Sequence, residues 1–361
     1  MKALLATVAL AFSAPALAQT PAFDAQPVLV ANGFKGFALI AKGDAIVWQT
    51  PRGSCAPSDD PNVVVLCHPR DPAFMLWPWA SVTKQVIALL AMTEVDRGRL
   101  SLDVPASRYL AALGPAKGAP TLRQLLQHRA GLRNPDDSPK GTDGSPDWYT
   151  TGPTGLGWCL KGRKAAGGNW RYNNCDTIVI GAILEKLTGK SVPTLFEERI
   201  AKPLAMEATS FVTVPLGKSP TFPAVQIAPQ EYATLTRFGA AGGLIGPALD
   251  LLKFDRALLT GKLVSPASRA AMWDGDPKLG YMGLAQWAFD APLKGCVGPV
   301  RLIERRGGIG RFQVRNILIP ERDMTVILFT ADAEQEFGEV WQGKGLSHDL
   351  LSAAACPTGA L

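Results

Sequence analysis

The stretch FMLWPWASVTKQVIALLAMTEVD, residues 74–96, places a lysine inside an otherwise apolar helix. Ala80, Val82, Val86, Ile87, Leu89, Leu90, Met92 and Val95 surround it. Apolar residues on nearly every side of a helix mean burial in a core. A lysine is almost never fully buried without compensation, so Lys84 needs a partner and a reason. Ser81 lies three residues earlier and therefore on the same helical face. A hydroxyl one turn from a buried amine is the outline of a reaction centre, and the rest of the chain must support it.

Outward from this helix, the chain begins MKALLATVALAFSAPALAQT, with Lys2, an apolar run and the small-residue site Ala16-Leu17-Ala18. This reads as a secretory signal peptide over residues 1–18, leaving one domain over 19–361. The apolar run falls short of the roughly 20 residues that span a bilayer, and no later segment reads as a membrane span. The formal charge is +6 with Lys and Arg scattered, so no basic stripe points to nucleic acid. Six cysteines in an exported chain point to disulfides. Nearest-neighbour pairing, Cys55–Cys67, Cys159–Cys175 and Cys296–Cys356, is the expectation. No C-x-x-C or H-x-H spacing suggests a metal, and no cofactor motif is present.

Residues 33–50 read as a hairpin about Lys42-Gly43-Asp44. Helical periodicity follows over 81–97, 121–129, 176–188, 194–200 and 248–260. The segment 131–171, dense in Gly, Pro and Asp and carrying Trp148, Trp158 and Trp170, reads as a long functional loop, a lid or a cleft wall. Strands return at 302–308, 312–319 and 324–330, and a helix over about 337–355 closes the chain. Strands at both ends around a helical middle predict an α+β fold: one antiparallel sheet from the N- and C-terminal strands with flanking helices, plus a mostly helical subdomain. Its α/β part covers about 19–80 and 281–361, its helical part about 81–280.

Three histidines, His68, His128 and His348, lack any metal-ligand spacing, and no serine sits in G-x-S-x-G. A hydrolase here needs another base. Burial disfavours the charged form of a lysine, and a neutral amine can take a proton from a serine that is otherwise a weak nucleophile. Two more stretches join the pattern. Tyr172-Asn173-Asn174 is a polar triplet directly before an apolar helix, and Arg306-Gly307-Gly308 ends a strand on which alternation separates Arg306 from Arg305.

The order SVTK, YNN, RGG resembles the serine β-lactamase and penicillin-binding-protein superfamily, whose marks are S-x-x-K, Y-x-N or S-x-N, and K-T-G or H-x-G. TLRQLLQHRAGL (121–132), GRLSLDVPASRYL (98–110), FEERIAKPLAMEATSF (196–211) and AAGGLIGPALDLLKF (240–254) extend the likeness to the class C β-lactamase-like, esterase and D-peptidase branch. The resemblance implies Ser81 as acylated nucleophile, Lys84 as its base and Tyr172 as proton relay. It also implies Asn174 as a hydrogen-bonding partner of substrate or lysine, and oxyanion donors from the N–H groups of Ser81 and Ile309.

Arg306 stands where the family has Lys or His. It stays charged and can bind a carboxylate through two parallel bonds, implying a small-molecule or peptide substrate with a free carboxylate. Gly307 stands in the Thr position, beside Gly308. No E-x-x-L-N is present, which excludes class A. The expectation is therefore an exported hydrolase cleaving an amide or ester (β-lactam, D-amino-acid peptide or small ester) through an acyl-enzyme. The alternative is a penicillin-binding sensor or scaffold that acylates without turnover.

Overall fold

A computed structural model describes residues 23–51, 72–115, 117–142, 144–213 and 227–356. The signal peptide, the Cys55–Cys67 pair and His68 lie outside the described residues.

The strands are β1 (Gly36–Lys42), β2 (Ala45–Gln49), β3 (Trp77–Pro78), β4 (Ser210–Phe211), β5 (Leu244–Gly246), β6 (Trp287–Ala291), β7 (Val300–Ile309), β8 (Phe312–Ile319) and β9 (Met324–Thr330). The helices are α1 (Gln26–Ala31), α2 (Thr83–Asp96), α3 (Leu122–Leu126), α4 (Gly155–Leu160), α5 (Asn174–Thr188), α6 (Val192–Phe196), α7 (Pro229–Phe238), α8 (Ala248–Thr260), α9 (Pro266–Met272) and α10 (Leu346–Ala355). Six strands form one antiparallel sheet in the order β2-β1-β9-β8-β7-β6. The N-terminal hairpin joins the C-terminal strands through β1 and β9, from Gly36 opposite Thr330 to Lys42 opposite Met324. This is the α+β sheet that the terminal strands predict.

Both faces of the sheet are covered. Phe37, Leu39, Ile327 and Phe329 pack on the side of α2, while Ala38, Ile40, Val326 and Leu328 pack with residues of α1 and α10. That is why β9, MTVILFT, carries the continuous apolar run Val326–Phe329 and is buried at every residue. Each fully buried Leu, Ile or Phe contributes about 1.5–3 kcal/mol of transfer free energy, which makes this central strand the anchor of the fold.

The structure departs from the sequence reading in several places, beginning with α1, α4, α7 and α9, helices the periodicity did not mark. The edge strand β6 and the small sheet β3-β5-β4 were not legible, because strands of two to five residues carry little periodicity. The final helix starts at Leu346, with only a single 3-10 turn over Val340–Gln342 before it. The segment 131–171 is a packed wall: Trp148 is 0% exposed against Tyr149, Trp158 and Phe238. Arg237 donates to the Trp148 carbonyl at 2.8 and 3.1 Å, and the Cys159–Cys175 disulfide ties α4 to α5. A second disulfide, Cys296–Cys356, joins the β6–β7 connection to the end of α10. Both follow the nearest-neighbour expectation.

Candidate active site

The small sheet presents the serine. Trp79 follows β3 directly; its N–H donates to Leu244 O at 2.9 Å and its indole to Gly246 O at 3.1 Å. Ala80 is then driven to φ +44°, a left-handed conformation that costs a residue with a Cβ. The strained turn Ala80–Val82 leads into α2 and sets Ser81 at the helix entrance. Lys84, in the first turn of α2, is 0% exposed.

Its amine has three oxygens around it: Ser81 Oγ at 3.0 Å, Asn174 Oδ1 at 2.7 Å and the Ala241 carbonyl at 2.5 Å. A neutral amine has two N–H donors and one lone pair. The amide and carbonyl oxygens can only accept, so they take the two N–H groups and leave the lone pair facing the serine hydroxyl. Burial drives Lys84 well below the usual lysine range; the Arg305 charge adds to this and Asp176 opposes it.

A helix terminus positions the second group. Asn173 caps α5 by accepting from Cys175 N–H at 2.9 Å, and its own Nδ2 donates to the carbonyls of Leu132 and Arg133. Asn174 opens the helix, and Tyr172 sits just outside it with its carbonyl held by Asn134 Nδ2 at 2.8 Å. The Tyr172 hydroxyl lies 2.5 Å from Ser81 Oγ and 3.3 Å from Asn174 Oδ1. Burial raises its pKa, with Arg305 pulling the other way.

His128 packs its ring 4.8 Å from that of Tyr172 and meets Asp176 at 3.1 Å. Burial pushes His128 down and Asp176 up, so both are held towards neutrality. A cleft of about 560 Å³ opens between Trp170 and Trp287, with Asp276 and Lys278 also in its lining. Among the described residues no group of His, Cys, Asp or Glu could hold a metal ion, and no helix is long and apolar enough to cross a membrane.

Ser81, Lys84, Tyr172 and Asn174 are thus brought together. Residues 71–344 match the Beta-lactamase family model.

The chain belongs to the Beta-lactamase family.

PbpX of Bacillus subtilis (strain 168) is 26% identical over 257 residues, covering 67% of this chain and 59% of that protein, so the match spans less than two thirds of PbpX. AmpH of Escherichia coli (strain K12), a D-alanyl-D-alanine-carboxypeptidase/endopeptidase, is 26% identical over 271 residues, 68% of either chain. Among solved structures, D-amino acid amidase from Ochrobactrum anthropi SV3, complexed with L-phenylalanine amide, superposes with a TM-score of 0.69. It is 20% identical and the match covers 91% of this chain and 97% of that one, a likeness of fold.

Within this member of the Beta-lactamase family, the third motif corrects the sequence reading. Arg306 does not face Ser81 and is not open for a substrate carboxylate. It makes forked bonds to Glu304, at 2.9 and 3.0 Å, and to Glu339. The arginine beside the serine is Arg305, whose Nε donates to the Ser81 carbonyl at 2.9 Å and whose Nη2 lies 3.3 Å from the Tyr172 hydroxyl.

Gly307 is no substitute for a threonine, because a Cβ there would lie 2.7 Å from Trp79 O and 3.0 Å from Ser81 N. Gly308 is exposed, and Ile309 is buried in the core. The signal for Arg305 was present in the strand: Ile303 and Ile309 mark the buried odd-numbered face to which Arg305 and Gly307 belong. The Ala241 carbonyl left no signal, since every residue carries one.

Proposed function

We propose that this protein is an exported serine hydrolase that cleaves an amide or ester through an acyl-enzyme on Ser81. The observation that carries this reading is the fully buried Lys84 amine, 3.0 Å from Ser81 Oγ and held by Asn174 Oδ1 and the Ala241 carbonyl; in its neutral form the lone pair is left for the serine hydroxyl. As the serine oxygen bonds to the acyl carbon, its proton passes to Lys84 Nζ. The bond to the leaving amine or alcohol then breaks, and the leaving group takes a proton from the Tyr172 hydroxyl, whose phenolate regains one from the Lys84 ammonium. Water hydrolyses the ester by the reverse path.

The Ser81 N–H, beside the Gly307 backbone, is one donor for the oxyanion. The relatives act on D-alanyl peptides and D-amino-acid amides, which supports the same class of acyl group here. The paired Arg306 removes the case for a terminal carboxylate as the chief recognition element. Export rests on residues 1–18.

The test is turnover of p-nitrophenyl acetate, together with intact mass of the protein mixed with excess penicillin or a fluorophosphonate. A covalent adduct on the natural protein and none on Ser81→Ala is expected. Ser81→Ala and Lys84→Ala should each lose at least about a thousandfold in kcat/KM while melting as the natural protein does. An active Lys84→Ala protein would sink the assignment.

A further inference from the structure

Two side chains of the wall segment 131–171 reach the residue that holds Lys84. Asp136 is exposed in the 3-10 turn Pro135–Asp137, and Tyr149 is half-buried in the turn Asp147–Tyr149. The Tyr149 hydroxyl donates to Asp136 Oδ1, and Asn174 Nδ2 lies 3.5 Å from the same hydroxyl oxygen. Both side chains are held in place. Tyr149 stacks on Phe238 at 5.6 Å and meets Trp148 edge-on at 5.2 Å. Asn134 Oδ1 accepts from the Asp136 N–H at 3.0 Å, while its Nδ2 donates to the Tyr172 carbonyl.

A phenol has one proton, and a carboxylate can only accept. Burial and Asp136 raise the Tyr149 pKa far above its usual range, so the phenol keeps that proton. With the proton committed to Asp136, Tyr149 offers Asn174 only lone pairs, and the amide turns its Nδ2 towards them. Its Oδ1 then faces Lys84 Nζ at 2.7 Å. The two ends of an amide are nearly the same size, so sterics alone do not choose between them. A reversed Asn174 would donate to the neutral amine and consume the lone pair that Ser81 needs.

We propose that Asp136 and Tyr149 are positioning residues, a carboxylate–phenol pair that fixes the direction of the Asn174 amide and so keeps the Lys84 lone pair available to Ser81 Oγ. This deepens the acyl-enzyme reading and rests on it. Asp136 acts through the Tyr149 hydroxyl, and Tyr149 through Asn174.

The groups that face Lys84 give this a distinctive signature. Arg305 faces it from β7, Tyr172, Asn174 and Asp176 from the start of α5, and His128 from just after α3. Asn174 Oδ1 favours the ammonium by accepting from it, and a reversed amide withdraws that acceptor. The lysine's pKa then falls, so the acid limb of kcat/KM, where Lys84 takes up a proton, moves to lower pH. A loosened wall would do the opposite. Water entering the site would relieve the burial that lowers Lys84 and move the limb to higher pH.

The experiment is kcat/KM on p-nitrophenyl acetate across pH, with thermal melts, for the natural protein, Tyr149→Phe, Asp136→Ala, the double variant and Asp137→Ala. Tyr149→Phe keeps the ring on Phe238, should melt as the natural protein does, and should lose about tenfold in kcat/KM. Asp136→Ala releases the phenol proton to Asn174 Oδ1 and should lose more, about thirtyfold. Combining the two should bring the loss back to that of Tyr149→Phe, because a ring without a hydroxyl has no proton to misdirect. In each of these variants the limb should move to lower pH. Asp137→Ala removes the neighbouring carboxylate, which pairs with Arg171, and should stay within about threefold of natural.

Additive losses in the double variant overturn the proposal, as does a limb that moves to higher pH or an equal loss in Asp137→Ala. If Asp136→Ala melts early, Tyr149→Phe decides through the direction of its limb. Adduct formation at Ser81 of the natural protein is the separate check. Without an adduct the acyl-enzyme reading falls and takes this proposal with it, whereas an adduct with additive losses overturns the proposal alone.

Discussion

The two faces of β7 carry the same chemistry to opposite ends. On the outer face Arg306 lies across from Arg315 on β8, a like-charge pair that would repel if left alone. Glu304 sits between them, accepting from Arg306 Nε at 2.9 Å and pairing with Arg315 at 3.5 Å, and Glu339 adds a second carboxylate. Burial pulls the pKa of Arg306 down, but the two glutamates outweigh it and raise it. The Trp287 and Trp341 rings lie 5.3 and 5.2 Å from the same guanidinium. On the inner face Arg305 has hydroxyl and carbonyl oxygens but no carboxylate, and burial lowers its pKa. A neutralised arginine holds a sheet edge together. An uncompensated one projects its field onto Ser81, Lys84 and Tyr172.

The comparison can be broken most sharply at Gly307. Gly307→Val would drive a branched side chain into Val314, Trp79 O and the Ser81 amide. We expect activity to fall below detection and stability to drop by about 1–3 kcal/mol, read from turnover and denaturant melts. An active Gly307→Val protein would mean the strand does not approach the serine as described.

Second in its effect on activity, but first in its effect on stability, is Glu304→Gln, which leaves Arg306 and Arg315 short of a buried carboxylate. Removing one partner of such a pair costs about 3–5 kcal/mol, so the melt should shift strongly while the acid limb of the pH profile stays in place. A moved limb would show that the outer face also reaches Lys84.

Glu339→Gln touches a partly exposed carboxylate and should cost less than about 1 kcal/mol. Gly308→Ala should be the mildest, because a Cβ there meets nothing nearer than Phe312 O at 3.9 Å and the backbone N–H is kept. Comparable losses at positions 307 and 308 would erase the distinction between the two faces.

Much of this arrangement was legible beforehand. Ser81 and Lys84 stood out because a lysine in an apolar helix demands explanation, and Tyr172 and Asn174 because a polar triplet before an apolar helix marks its start. The hairpin, the three late strands and their joining in one sheet followed from runs of apolar residues between turn residues. The register of the third motif was not legible in the same way. Arg305-Arg306-Gly307-Gly308 admits two alignments one residue apart, and a one-residue slip on a strand exchanges every side chain between its faces.

The sequence by itself determined the fold class and which helices carry the reactive groups, because local periodicity and capping preferences act over a few residues. The tertiary structure decided which arginine faces the serine, which glycine the serine leans on, and that the Ala241 carbonyl completes the lysine's shell. Those are contacts between segments 157 to more than 220 residues apart in the chain. Close approach of one backbone to another depends on how the whole core packs, and no single stretch of residues encodes it.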